Sequence, residues 1–327
     1  MQYRVLGKTD LKVSVLGFGC GGVGGLMVGD DYANMVRSVE KAVDAGINYF
    51  DTAQLYGSGR SEENLGKILN ELRPDVVVGT KVRLSRFEPD MIEKDILEAA
   101  ETSLRRLRKE RLDLFQLHNA LCLEGGSEKG WVNVQALPLV VKAFQKLQAA
   151  GKIRYWGLNG IGETSAIHQG LAGAPADTIQ VCYNLLNPSA WNEMPENTPF
   201  QNYRGLIQQA VDRQAGVIAF RILAGGALTA QLRRHPLAAR YVDPIASASE
   251  YAADVELAKH FEFFVTTGWT ASMAEAAIRF AVSRPEISTL LIGFSSVEQI
   301  EEAVYAVESG PLPQEALDRL PDTWRSY

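Results

Sequence analysis

Hydrophobic positions in this chain fall into short continuous runs. Longer stretches separate them, with apolar residues recurring every three or four places. The continuous runs, rich in Val, Ile, Leu and Phe, lie at 16–19, 47–53, 76–81, 112–118, 153–159, 178–184, 217–223 and 289–293. Continuity rather than alternation predicts strands covered on both faces, as in a parallel sheet. A helical stretch follows each run, at 32–45, 61–70, 90–109, 137–150, 163–171, 203–214, 250–267 with 273–283, and 296–308. Gly46 stops the first helix. Asp90 with Glu93, and Ser296 with Gln299, have capping-box spacing.

Eight unbroken strand-then-helix units predict a (β/α)8 TIM barrel, an α/β fold, as a single domain over 1–327. Alternating runs at 3–7 and 11–15 around Lys8-Thr9-Asp10 predict an N-terminal β-hairpin. The Pro- and Gly-rich segments, such as 187–199 and 224–226, fall after strands and read as loops at one rim. In such barrels the site lies at the C-terminal strand ends.

Composition narrows the function classes. A hydrophobic share of 46% and a charged share of 22% are those of an ordinary globular protein. A net charge of −6 argues against a nucleic-acid partner. No apolar run approaches the roughly 18 residues of a membrane span. Met1-Gln2-Tyr3-Arg4 lacks the apolar core of a signal peptide, so a cytoplasmic location is expected. Cys20, Cys122 and Cys182 are too scattered for a disulfide framework or a zinc site, and no metal is expected.

The segment from Gly17 to Gly22 matches G-x-G-x-x-G after a strand. A dinucleotide fingerprint would open a helix directly and meet an acidic residue roughly 20 positions on. Here Gly24 and Gly25 extend the loop, and the next strand ends later. The better reading is a flexible loop around Gly19 that passes close to a ligand.

The candidate chemistry sits at three consecutive strand ends. Asp51 ends the second run, Lys81 the third and His118 the fourth, while Tyr56 follows Asp51 in a turn marked by Gly57. Neighbouring barrel strands lie about 5 Å apart, so these residues converge on one rim. Singly, each has an ordinary structural role as a cap, a solvated cation or a hydrogen-bonded core residue. Together they suit proton transfer. Tyr56 is the proton donor, a lysine beside it lowers the phenol's pKa, and Asp51 keeps the lysine charged. His118 can orient a carbonyl oxygen.

Asp51-Thr52-Ala53-x-x-Tyr56-Gly57, followed by Ser61-Glu62, resembles the aldo-keto reductase signature. Lys81 and His118 fall where that family's other two catalytic residues stand. Further matches run through Gly151–Gly157, Thr178–Asn184, Leu223–Leu228 and Ile292–Glu302, so the resemblance spans essentially the whole chain in order. It implies Tyr56 as general acid/base, Lys81 and Asp51 tuning it, and His118 orienting the carbonyl. It implies NADPH or NADH extended across the rim, with Asn159 and Gln180 near the nicotinamide carboxamide. The loop holding Leu223, Gly225, Gly226 and Leu228 would cover the pyrophosphate, and Gly293, Ser295, Gln299 and Glu302 would meet the adenosine end.

Two departures stand out. Asn159-Gly160 replaces the family's usual Ser-Asn, a pattern similar to the sugar dehydrogenase branch. Ala303 replaces a frequent Asn, and no Lys or Arg lies within 293–299 to pair with a 2′-phosphate. Arg233 and Arg234 are the nearby candidates. The family favours NADP(H), with NAD(H) possible. Trp131, Trp191 and Trp324 are expected to rim a pocket for a small carbonyl or sugar substrate. His168, His235 and His260 receive no role. The rival readings are a cofactor-binding regulatory protein, since potassium-channel beta subunits resemble this family, and a Schiff-base aldolase with Lys81 as nucleophile.

Overall fold

In the computed structural model, strands β1 (Tyr3–Val5) and β2 (Lys12–Ser14) pair antiparallel as the expected hairpin. The structure describes all residues except Asn197, within the expected 187–199 loop, and Tyr327, at the end of the expected domain. Eight parallel strands then close a barrel: β3 (Leu16–Gly19), β4 (Tyr49–Asp51), β5 (Val77–Val82), β6 (Leu112–Leu117), β9 (Ile153–Gly160), β10 (Thr178–Cys182), β11 (Gly216–Phe220) and β12 (Thr289–Gly293), with β12 returning to β3. Between β6 and β9 lies a small parallel pair that periodicity did not predict, β7 (Leu121–Cys122) and β8 (Val132–Asn133).

The hairpin plugs the N-terminal mouth of the barrel. Leu6, Leu11 and Val13 bury themselves with Tyr49, Leu114, Ile218 and Leu291 from the barrel interior. Gly7 turns there with φ +60, and a Cβ on it would lie 2.6 Å from the Gln214 carbonyl. The larger core fills the space between the barrel wall and the helices. Because one end is plugged, polar chemistry is left to the other.

The helices follow the predicted order, with local differences. Neither expected capping box forms. The third helix starts at Glu88-Pro89, where proline suits the first turn, and Glu93 reaches Lys146 instead (2.6 Å). Ser296 does precede Val297–Glu308, but its side chain caps nothing. Gln299 instead accepts the Ser295 N–H (2.8 Å). The expected 250–267 helix is broken into Tyr251–Ala258, a turn, and Phe263–Thr266. Two short C-terminal helices, Gln314–Asp318 and Leu320–Trp324, were not anticipated. Among the described residues, no helix is long and apolar enough to cross a membrane.

Candidate active site

Alternation along three neighbouring strands builds the site. Tyr49 and Asp51 on β4, Gly79 and Lys81 on β5, and Leu114 and Gln116 on β6 share the inward face, and His118 follows just past β6. Lys81 Nζ is ion-paired with Asp51 Oδ1 and donates to the Thr52 carbonyl (2.8 Å). Asp51 Oδ2 accepts from Gln180 Nε2 (2.8 Å), the Tyr49 hydroxyl (3.2 Å) and Gln116 Nε2 (3.3 Å). Glycine at 79 makes this possible, since a Cβ there would lie 2.6 Å from the Tyr49 hydroxyl. Lys81 Nζ lies 5.1 Å from the centroid of the Tyr56 ring, and the His118 ring meets that ring edge-on at 5.7 Å. The four predicted residues therefore come together. Ser61 and Glu62 brace them from behind, through Thr52 (2.8 Å) and Thr80 (2.7 Å).

Burial sets the protonation states. It disfavours the Lys81 cation, but Asp51 and Tyr56 outweigh it and hold the pKa above the ordinary value. The Tyr56 phenol moves the other way from the sequence expectation. Burial raises its pKa more than Lys81 lowers it, so the net shift is upward. Burial and Asp51 push the Tyr49 phenol well up, so it remains an O–H donor. His118 is pushed down to about 3 by burial, then by Lys81 and Arg83. It is a neutral imidazole at neutral pH, with one ring N–H to donate.

A cleft of about 760 Å³ is lined by residues that include Asp51, Tyr56, Glu302 and Ala303. Gly19, Gln180, Leu223, Gly225, Gly226, Gly293, Ser295, Gln299 and Glu302 all line it. Leu228 does not, because its side chain is buried in the core. Gln180 commits its amide N–H to Asp51. Asn159 lies off the lining and donates to the His118 carbonyl (3.1 Å), leaving its Oδ1 buried with no partner among the described residues. The Ser295 hydroxyl is tied to the Gly24 carbonyl (2.6 Å).

Arg234 is consumed as a strap. It donates to the carbonyls of Gly225, Ala239 (2.8 Å) and Val23 (3.1 Å), tying its loop over the glycine-rich loop. Arg233 is exposed on the lining, and so is His235, which received no role from the sequence. Two expected rim tryptophans are packing residues. Trp324 is buried and donates to the Leu185 carbonyl (2.9 Å), and Trp191 lies against Arg284 (5.4 Å).

Sequence reasoning missed Arg221. It lines the cleft just past β11, and its Nη1 is buried with no partner among the described residues. A cation directly after an apolar strand was the available signal.

A dinucleotide fits these residues on structural grounds. The cleft is roomy, an unpartnered guanidinium nitrogen stands on its lining, and an unpartnered amide oxygen on Asn159, in β9, stands next to His118.

The fold and this strand-end cluster define a barrel oxidoreductase, and the sequence comparisons agree. The profile of the Aldo/keto reductase family matches residues 15–325, and the chain belongs to that family. It is 31% identical to the L-galactose dehydrogenase of Arabidopsis thaliana, over 98% of this chain and 93% of that protein. It is 27% identical to a probable voltage-gated potassium channel subunit beta of the same plant, over 95% and 93%. The holo form of aldo-keto reductase AKR11C1 from Bacillus halodurans superposes with a TM-score of 0.73 at 27% identity, covering 99% of this chain and 96% of that one.

Proposed function

We propose that the chain is an NAD(P)(H)-dependent oxidoreductase that reduces aldehydes or ketones, or oxidises a sugar hydroxyl in the reverse direction, with Tyr56 as general acid/base. The observation that carries this reading is the buried Lys81 cation, fixed by Asp51 beside the Tyr56 phenol and a neutral His118. Bound in the cleft, the nicotinamide cofactor supplies or accepts the hydride. The chain's own residues handle the proton. His118 donates its N–H to the carbonyl oxygen and orients it, and Tyr56 passes its hydroxyl proton to that oxygen. Lys81 steadies the phenolate left behind, and Asp51 keeps Lys81 charged.

Gly19, Gly225, Gly226 and Arg221 would hold the diphosphate, and Asn159 Oδ1 would accept from the carboxamide. Gly293, Ser295, Gln299 and Glu302 would hold the adenosine end. NADP(H) is favoured over NAD(H), because Arg233 and His235 stand on the lining as hydrogen-bond donors for a 2′-phosphate. The substrate is a small carbonyl compound or sugar, in keeping with the dehydrogenase likeness. Three unpaired, buried thiols suit a cytoplasmic location. A Schiff-base nucleophile needs a neutral amine, and Asp51 opposes that at Lys81.

The test titrates NADPH and NADH against wild type and Tyr56→Phe by nicotinamide fluorescence, then measures turnover on a panel of carbonyl compounds. Both proteins should bind, NADPH more tightly, and only wild type should turn over. Failure of both to bind either cofactor refutes the reading. Binding without turnover of any carbonyl favours the second reading, a cofactor-binding regulatory protein, which the likeness to channel beta subunits motivates.

A further inference from the structure

Two cations close in sequence to Arg83 are spoken for. Lys81 is paired with Asp51, and the Arg86 guanidinium is forked onto Asp95. Arg83, between them in the chain, is exposed, with no hydrogen bond or ion pair among the described residues. It follows β5 directly. The alternation that turns Gly79 and Lys81 toward the barrel axis turns Arg83 the same way, one residue past the strand end.

A buried side chain fixes what stands opposite. Asn119, next to His118, accepts the Leu84 N–H (2.8 Å) and donates to the carbonyls of Leu84 and Gly130 (both 2.9 Å). It staples the segment after β5 to the segment between β7 and β8. Arg83 is thereby brought against Gly130, where a Cβ would lie 3.1 Å from a guanidinium nitrogen. Gly130 sits at φ +68, and Lys129 and Trp131 flank it, with Lys129 Nζ 5.3 Å from the Trp131 ring centroid. Lys129 also forms no ion pair among the described residues. Nearby, Glu163 accepts the Leu123 N–H (2.9 Å), and neither Glu124 nor Glu128 is ion-paired with Arg83 or Lys129 among the described residues. Arg83 is close enough for its charge to act on His118.

We infer that the mouth beside His118 selects carbonyl substrates carrying an anionic group, a carboxylate or a phosphate, which Arg83 grips with help from Lys129. This rests on the reductase reading above and names its substrate class. Arg83 stands two residues beyond Lys81, roughly 7 Å along the strand direction, on the same rim as the reacting groups. A guanidinium suits the forked oxygens of either anion. In a chain of net charge −6, two unpaired cations at one mouth are a local feature that raises the concentration of anions there.

Matched pairs test this with the whole protein and NADPH. One pair is succinic semialdehyde against butanal, and the other is glyceraldehyde 3-phosphate against glyceraldehyde. Wild type should show a higher kcat/KM for the anionic member of at least one pair, and that pair identifies the anion. Arg83→Gln should reduce this preference on the order of tenfold or more, chiefly through KM. Arg83→Lys should restore part of it, and Lys129→Gln should reduce it less. No preference in wild type, or an equal loss on both members in Arg83→Gln, overturns the inference while the reductase reading stands. No turnover of any of the four, with other carbonyls turned over, also overturns the inference, and failure to bind either cofactor removes both.

Discussion

His118 carries a stability signature that its proposed role requires. Unfolded, it takes up a proton near its ordinary pKa of about 6.5. Folded, burial and the Lys81 and Arg83 charges lower that pKa to about 3. Between these values the unfolded state binds the extra proton, so stability falls as pH falls through this window. The slope approaches about 1.4 kcal/mol per pH unit. Going from about pH 7.5 to about pH 5, this single group removes at most about 2 kcal/mol. His118→Gln keeps an N–H donor at the rim but cannot titrate. Urea unfolding of wild type and variant at both pH values isolates the residue, because every other titrating group cancels in the difference. Wild type should lose about 2 kcal/mol more than the variant on acidification. Equal losses would mean that His118 charges freely when folded. It could then serve as the acid, and the assignment of the proton to Tyr56 would fail.

Two further outcomes follow from a residue the sequence reading missed and one it misplaced. Arg221→Gln removes the unpartnered guanidinium from the cleft wall and should raise the Kd for NADPH about tenfold or more, read by nicotinamide fluorescence. An unchanged Kd would show that the cofactor does not use it. Trp324→Ala empties a core site between Leu185 and Phe280 and should cost about 3–5 kcal/mol in urea unfolding. KM for a carbonyl should stay constant, whereas a change in KM with intact stability would return Trp324 to the pocket.

The barrel was readable because each of its strands is covered on both faces and leaves a continuous apolar run. Asp51, Lys81 and His118 were readable because they end such runs, where a polar residue has few structural reasons to be. Residues whose meaning depends on a distant partner were hidden. Arg234 looked like a free cation until its loop folded across Val23, and Trp324 looked like a rim aromatic until the tail docked on Leu185. The Tyr56 pKa was misjudged for a related reason. The lysine beside it was visible in sequence, but the depth of burial, which proved larger, was not. Gln116, like Arg221, is a hidden group that left a trace, here as a polar residue inside the run Leu112–Leu117.

Gln116 also shows how the cluster tolerates a buried charge pair. Removing Lys81 and Asp51 from water costs several kcal/mol per ion, and their attraction offsets this only if the remaining lone pairs are satisfied. Here Lys81 takes one carboxylate oxygen, and three neutral donors, Tyr49, Gln116 and Gln180, share the other. Neutral donors steady Asp51 without adding a second cation to compete with Lys81. Each neighbour is also fixed in its protonation state. Lys81 is held charged, Tyr49 is held protonated far above its ordinary range, and His118 is held neutral down to about 3. Tyr56 is held protonated too, by burial, but it stands at the edge of the cluster, partly exposed, with Lys81 beside its ring. In the proposed reading its proton is the one that a carbonyl oxygen arriving at the rim would take. The polar layer beneath Asp51, with Gly79 leaving room for it, would then restrict proton transfer to that group.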